Sequence, residues 1–107
     1  IAVLDAIRRC FEGNRVLYSR HARYEMRTEE FGVVSDEDVA EAVAAGEMIE
    51  NYADDEPYPS MLIFGRTHLS RPLHVVAAYA AEEDTCTVIT VYHPDPSRWC
   101  EYRRRRT

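Results

Sequence analysis

The sequence predicts an α+β two-layer sandwich: a four- to five-stranded antiparallel sheet with helices packed on one face. Helical periodicity runs up to Gly46, the hydrophobic repeat then switches to two, and the strand-like segments after it are joined by connections too short for crossover helices. The 107 residues hold one domain over 1–107, with no internal repeat or linker.

Val3, Leu4, Ile7 and Phe11 recur at helical spacing and Gly13-Asn14 supplies a stop, so residues 2–12 read as an amphipathic helix. A short extended piece, Val16 to Tyr18, follows. Ser19 is placed to cap a second helix that carries Ala22, Tyr24 and Met26 to about Glu30, before Phe31-Gly32 ends it. Ser35-Asp36-Glu37-Asp38 has the form of a capping box, with acids where the helix dipole favours them, and Val39, Ala42 and Val43 continue that helix to Gly46. Met48 to Tyr52, Ser60 to Gly65, Pro72 to Ala81 and Cys86 to His93 are the four strand candidates. Pro94-Asp95-Pro96 breaks the last strand, and Asp95 as cap with Pro96 in the first turn predicts a final helix bearing Trp99, Tyr102 and the terminal arginines. One sheet face is thus expected under helices and the other partly open.

Composition narrows the classes. Hydrophobic residues at 46% and charged residues at 30% describe a globular chain rather than a disordered or collagen-like one. The longest apolar stretch without charge, Val75 to Ala81, is far short of the roughly 18 residues of a membrane span. Asp5, Arg8 and Arg9 reverse the basic-then-apolar order of a secretory signal, so no export is expected. Cys10, Cys86 and Cys100 are odd in number and widely spaced, which predicts reduced thiols and a cytoplasmic setting. The net charge of −6 is divided: residues 1–27 carry six arginines against three acids, residues 28–56 eleven acids and no base, residues 57–107 seven arginines against five acids. Such acidity argues against promiscuous nucleic-acid binding. Four scattered glycines form no phosphate loop, and no H-x-x-x-H or C-x-x-C pair anchors a metal, so neither metal nor cofactor is expected.

An ordered series of short motifs carries a family resemblance. Ser19-Arg20-His21-Ala22, Met26-Arg27, the Ser35 box with Val39, Gly46-Glu47, Ile49-Glu50, Gly65, Leu73-His74-Val75-Val76, Ile89-Thr90-Val91-Tyr92, Pro94-Asp95-Pro96 and Trp99 together resemble the domain of unknown function 4258 family over roughly residues 16–105. That family is similar to the RelE/ParE toxin superfamily, including its BrnT-like members. The resemblance implies a bacterial toxin-like protein of a toxin-antitoxin type system, a small antitoxin-like protein as cognate partner, and RNA as candidate substrate of a metal-independent endoribonuclease. The chain departs from the usual RelE-type ribonuclease in being acidic where those are basic.

Metal-free RNA cleavage needs a proton taken from the 2′-hydroxyl, another given to the 5′-oxygen, and cationic donors at the phosphorus. Imidazole suits either end, which selects His21 and His74 as acid/base candidates, Tyr92 as an orienting or proton-donating hydroxyl, and Arg27, Arg66 and Arg98 as phosphate donors. Those side chains must line one water-accessible pocket. Strand parity bears on it: a two- or four-residue turn after Ala81 pairs His74 with His93, whereas a three-residue turn, or a bulge of the same effect, sets His74 and Tyr92 on one face. Ordinary structural roles are open to the same residues, with His21 bonding a neighbouring carboxylate, Trp99 and Tyr102 anchoring a core, and Arg103 to Arg106 forming a solvated terminus. A noncatalytic protein-interaction module of the same fold, binding through a strand edge or the acidic 28–56 segment, is the alternative function. A gyrase-directed poison of the ParE kind is a third.

Overall fold

The computed structural model describes residues 2–107; Ile1, at the head of the expected N-terminal apolar run, lies outside them. Its elements in chain order are α1 (Ala2–Glu12), β1 (Val16–Tyr18), α2 (Arg20–Thr28), α3 (Asp36–Ala44), β2 (Glu47–Tyr52), β3 (Ser60–Arg66), β4 (Pro72–Ala80), β5 (Thr85–Tyr92), β6 (Trp99–Cys100) and β7 (Arg104–Arg105).

Both expected caps form. The Ser19 hydroxyl accepts the Ala22 N–H at 3.0 Å and donates to the Ile89 carbonyl at 2.9 Å, so one side chain starts α2 and ties it to β5. At α3 the Asp38 N–H donates to the Ser35 hydroxyl while the Ser35 N–H donates to the Asp38 carboxylate, completing the capping box.

The main sheet has the order β1-β5-β4-β3-β2. It is mixed, which corrects the antiparallel expectation: β1 pairs parallel with β5, Val16 opposite Cys86 and Tyr18 opposite Val88. β1 is followed by two helices rather than a hairpin turn, so nothing in its connection dictates an antiparallel neighbour. The helices cover one face. Leu4, Ile7 and Cys10 of α1, Ala22 and Met26 of α2, and Val39, Ala42 and Val43 of α3 meet Met61, Ile63, Leu73, Val75, Ala77, Cys86, Val88 and Val91. Each large aliphatic chain buried there contributes roughly 1.5–3 kcal/mol. α3 lies so close to β3 that a Cβ built on Gly65 would stand 1.8 Å from the Ala42 carbonyl oxygen, so residue 65 must be glycine.

The second correction concerns the C-terminus, where the expected helix is a hairpin. Asp95 caps only a turn, its carboxylate accepting the Ser97 N–H, and the chain then extends as β6, reverses at Glu101 and Tyr102 with φ of 54° and 64°, and returns as β7. Trp99 and Tyr102, three apart, fit either structure. The arginines decide: Arg103 and Arg105, alternate residues, both reach acids of β2, Glu47 and Glu50 respectively, while Arg104 pairs with Glu101. This hairpin crosses the sheet face that the sequence leaves open. Cys10, Cys86 and Cys100 are unpaired, and no described helix is long and apolar enough to cross a membrane.

Candidate functional site

His74 and Tyr92 meet on the hairpin side of the sheet. His74 lies between Leu73 and Val75, both in the helix-side core, so strand alternation turns it the other way. Its Cα partner across the ladder is Tyr92. The turn between β4 and β5 has four residues, 81–84, which alone would set the other parity; an extra residue, Ile89, intervenes between the pairs Val76–Thr90 and Ala77–Val88 and restores the phase. The bulge is the device that joins these two side chains.

The histidine is fully enclosed, with 0% exposure. Its Nε2 lies 2.6 Å from the Tyr102 carbonyl oxygen, which can only accept, so Nε2 carries the proton and Nδ1 accepts the Tyr92 hydroxyl at 3.1 Å. Trp99 packs edge-on against the imidazole with ring centres 4.5 Å apart, and Phe64 and Tyr92 close two more sides at 5.9 and 5.2 Å. Burial holds the His74 pKa below the ordinary histidine value, against the Tyr102 carbonyl and Glu50, which favour the charged ring. Burial also pushes the Tyr92 phenol up to about 12. Both groups are neutral near pH 7.

His21 stands elsewhere. It lies on α2, in the helical layer, with its side chain 64% exposed and Nε2 3.3 Å from the Glu25 carboxylate. That carboxylate accepts the Val91 N–H at 2.9 Å, and Glu29, the residue that ends α2, accepts the His93 N–H at 3.3 Å, so α2 and its C-terminal cap supply acceptors to the end of β5 and the residue after it, beyond the end of β1. Burial raises the Glu25 pKa, with the Val91 N–H and His21 opposing. Replacing Glu25 by Ala is expected to cost about 1–2 kcal/mol in urea denaturation, because Val91 loses its acceptor, whereas Glu25→Gln stays within about 0.5 kcal/mol of the parent.

The arginines disperse. Arg27 is exposed on α2. Arg66 donates to the Ser70 carbonyl and lies over the Phe64 and Tyr102 rings at 5.5 Å from each. Only Arg98 joins Tyr92, in an open cleft of about 420 Å³ that His93, Asp95, Trp99 and Arg105 also line. Arg105 is held there by Glu50 and by stacking over Trp99 at 4.7 Å. Sequence reasoning missed His93, whose ring stacks on Phe31 at 4.3 Å and whose Nδ1 is buried without a hydrogen-bond partner among the described residues. It also missed the sealing hairpin, because Arg103 to Arg106 is a uniform run in which only the structure shows alternate members reaching Glu47 and Glu50. Among the described residues no three His, Cys, Asp or Glu side chains converge as metal ligands.

A helix-backed mixed sheet whose second face is closed by a short aromatic hairpin thus defines the domain. Residues 18–93 match the profile described as "Domain of unknown function (DUF4258)", and the chain belongs to that family. No curated protein and no solved structure matches it.

Proposed function

We propose that this domain is a noncatalytic interaction module that binds a protein partner. The engagement of His74 carries this reading. Metal-free RNA cleavage requires general acid and base groups within hydrogen-bond reach of the substrate and able to exchange protons, the part for which the histidines are the sequence candidates. His74 gives both ring nitrogens to its own fold, one to Tyr92 and one to Tyr102, beneath Trp99. His21, held by Glu25 in the helical layer, is not among the residues of the cleft beside Tyr92. The partner is a protein of the small antitoxin-like kind that the family resemblance suggests, and the acidic 28–56 segment favours a basic surface on it.

The test is induced expression in a bacterial host followed by RNA sizing, with the purified protein incubated beside it on single-stranded RNA. Intact RNA in both arms is expected. Fragmentation that vanishes in Tyr92→Phe or His21→Ala, with circular dichroism unchanged, would overturn the reading.

One observation favours the second reading, a toxin-like endoribonuclease. Arg98 has no ion pair among the described residues and shares the open cleft with Tyr92 and His93. There Tyr92, hydrogen-bonded to His74, would act on the ribose and Arg98 on the phosphate. Fragmentation lost in Arg98→Ala but kept in His21→Ala selects it.

A further inference from the structure

We propose that the free edge of β2 takes up an extended, positively charged segment of another protein as a sixth strand of the main sheet. This rests on the interaction reading above and names the surface and the kind of partner.

The two edges of the sheet are finished differently. At one end β1 is only three residues long, and Ser19, Glu25 and Glu29 satisfy the backbone of β5 and of His93 beyond it. At the other end β2 runs for six residues with no strand beyond it, and its backbone from Glu47 to Asn51 makes no bond outside the β2–β3 ladder among the described residues. Such an edge is a template for strand addition unless charge or proline guards it. β2 has no proline, and its two acids are drawn aside, Glu47 to Arg103 and Glu50 to Arg105 of the hairpin.

The same edge offers a receptor for a side chain. A bulge at Ile49 leaves Met48 and Asn51 on the helical face of β2, opposite Ile63 and Met61. Beside them opens a cavity of about 260 Å³ that Val3, Pro59 and Met61 also line. An incoming strand would hydrogen-bond along β2 and place one apolar side chain in this cavity.

Charge selects the occupant. Residues 47–56 carry five acids and no base, and Asp54 and Glu56, in the turn after β2, have no ion pair among the described residues. Two-fold pairing of β2 with a second copy would set this acidic turn beside Glu47 of its mate, an unfavourable juxtaposition. A strand bearing Arg or Lys meets the opposite sign.

The probe is a synthetic peptide of about seven residues alternating Arg and Val, titrated into the full chain with amide hydrogen exchange read residue by residue. Slowed exchange across residues 47–52 is expected. Affinity should fall about tenfold or more when alternate peptide amides are N-methylated, which removes strand pairing but keeps charge, and likewise when Glu replaces Arg. The double variant Asp54→Asn, Glu56→Gln should bind a few-fold more weakly and with a shallower salt dependence. Equal binding by the N-methylated peptide, protection confined to other elements, or no binding overturns the proposal. So does concentration-dependent protection of residues 47–52 without peptide, which would make a second copy the occupant. RNA fragmentation in the earlier assay removes the functional reading but does not alter the β2 titration, so the two fail separately.

Discussion

Changing His74 to Ala is expected to lower the unfolding free energy by about 4 kcal/mol, a large part of the roughly 5–15 kcal/mol of a typical domain. Two costs combine. An aromatic-sized cavity opens among Trp99, Phe64 and Tyr92, and the Tyr102 carbonyl and Tyr92 hydroxyl lose their partners. Urea denaturation gives the magnitude, and hydrogen exchange should show residues 99–105 losing protection first. A loss below about 1 kcal/mol would mean that the hairpin is anchored without the histidine. The same residue sets a pH dependence. Its folded pKa lies below the ordinary value of 6.5, so the unfolded chain binds the proton more readily. The stabilisation is present above about pH 6.5 and is lost as the pH falls through the folded value. His93, also lowered by burial and then by Arg71, adds in the same direction, whereas the raised Glu25 opposes it. His74→Phe, which fills the space without titrating, should flatten the loss between about pH 7 and pH 5.

Gly65→Ala is expected to be comparably damaging, at about 3 kcal/mol or more. The new methyl would meet the Ala42 carbonyl oxygen at 1.8 Å and its carbon at 2.6 Å. Both are main-chain atoms, so no rotamer change relieves the contact, and α3 must shift from β3. Val39 and Val43, fully buried on the same helix, would lose packing with it. A fall in the urea midpoint with the slope retained is the expected signature. A change under about 1 kcal/mol would show that α3 seats itself more freely than its contacts require.

Local chemistry made much of this fold legible in sequence. Ser19 and Ser35 announced their helices because capping is decided within four residues, and the strands β2 to β5 announced themselves by period. The parallel seat of β1 was not legible, because it depends on which edge was left after β2 to β5 had paired. The C-terminal hairpin was misread because Asp95-Pro96 has the local form of a helix start, while the pull of Glu47 and Glu50 on alternate arginines is a long-range effect. For the candidate site, the bulge alternative brought His74 and Tyr92 together as required, but motif and chemistry gave His21 and Arg27 no spatial address, and α2 carries them in the helical layer. Enclosure was the other blind spot: Trp99 and Tyr102 read as core anchors, yet nothing local to them named His74 as what they cover.

Ile89 has a consequence for how the chain tolerates changes in length. The phase of Tyr92 relative to β4 is fixed after the bulge, downstream of the 81–84 turn. That turn can lengthen or shorten while the pairs nearer Tyr92 keep their partners. Deleting Ile89 itself would make the ladder regular and leave Val91 in the aliphatic layer and Tyr92 opposite His74, because Val88 and Thr90 already face consecutive residues of β4.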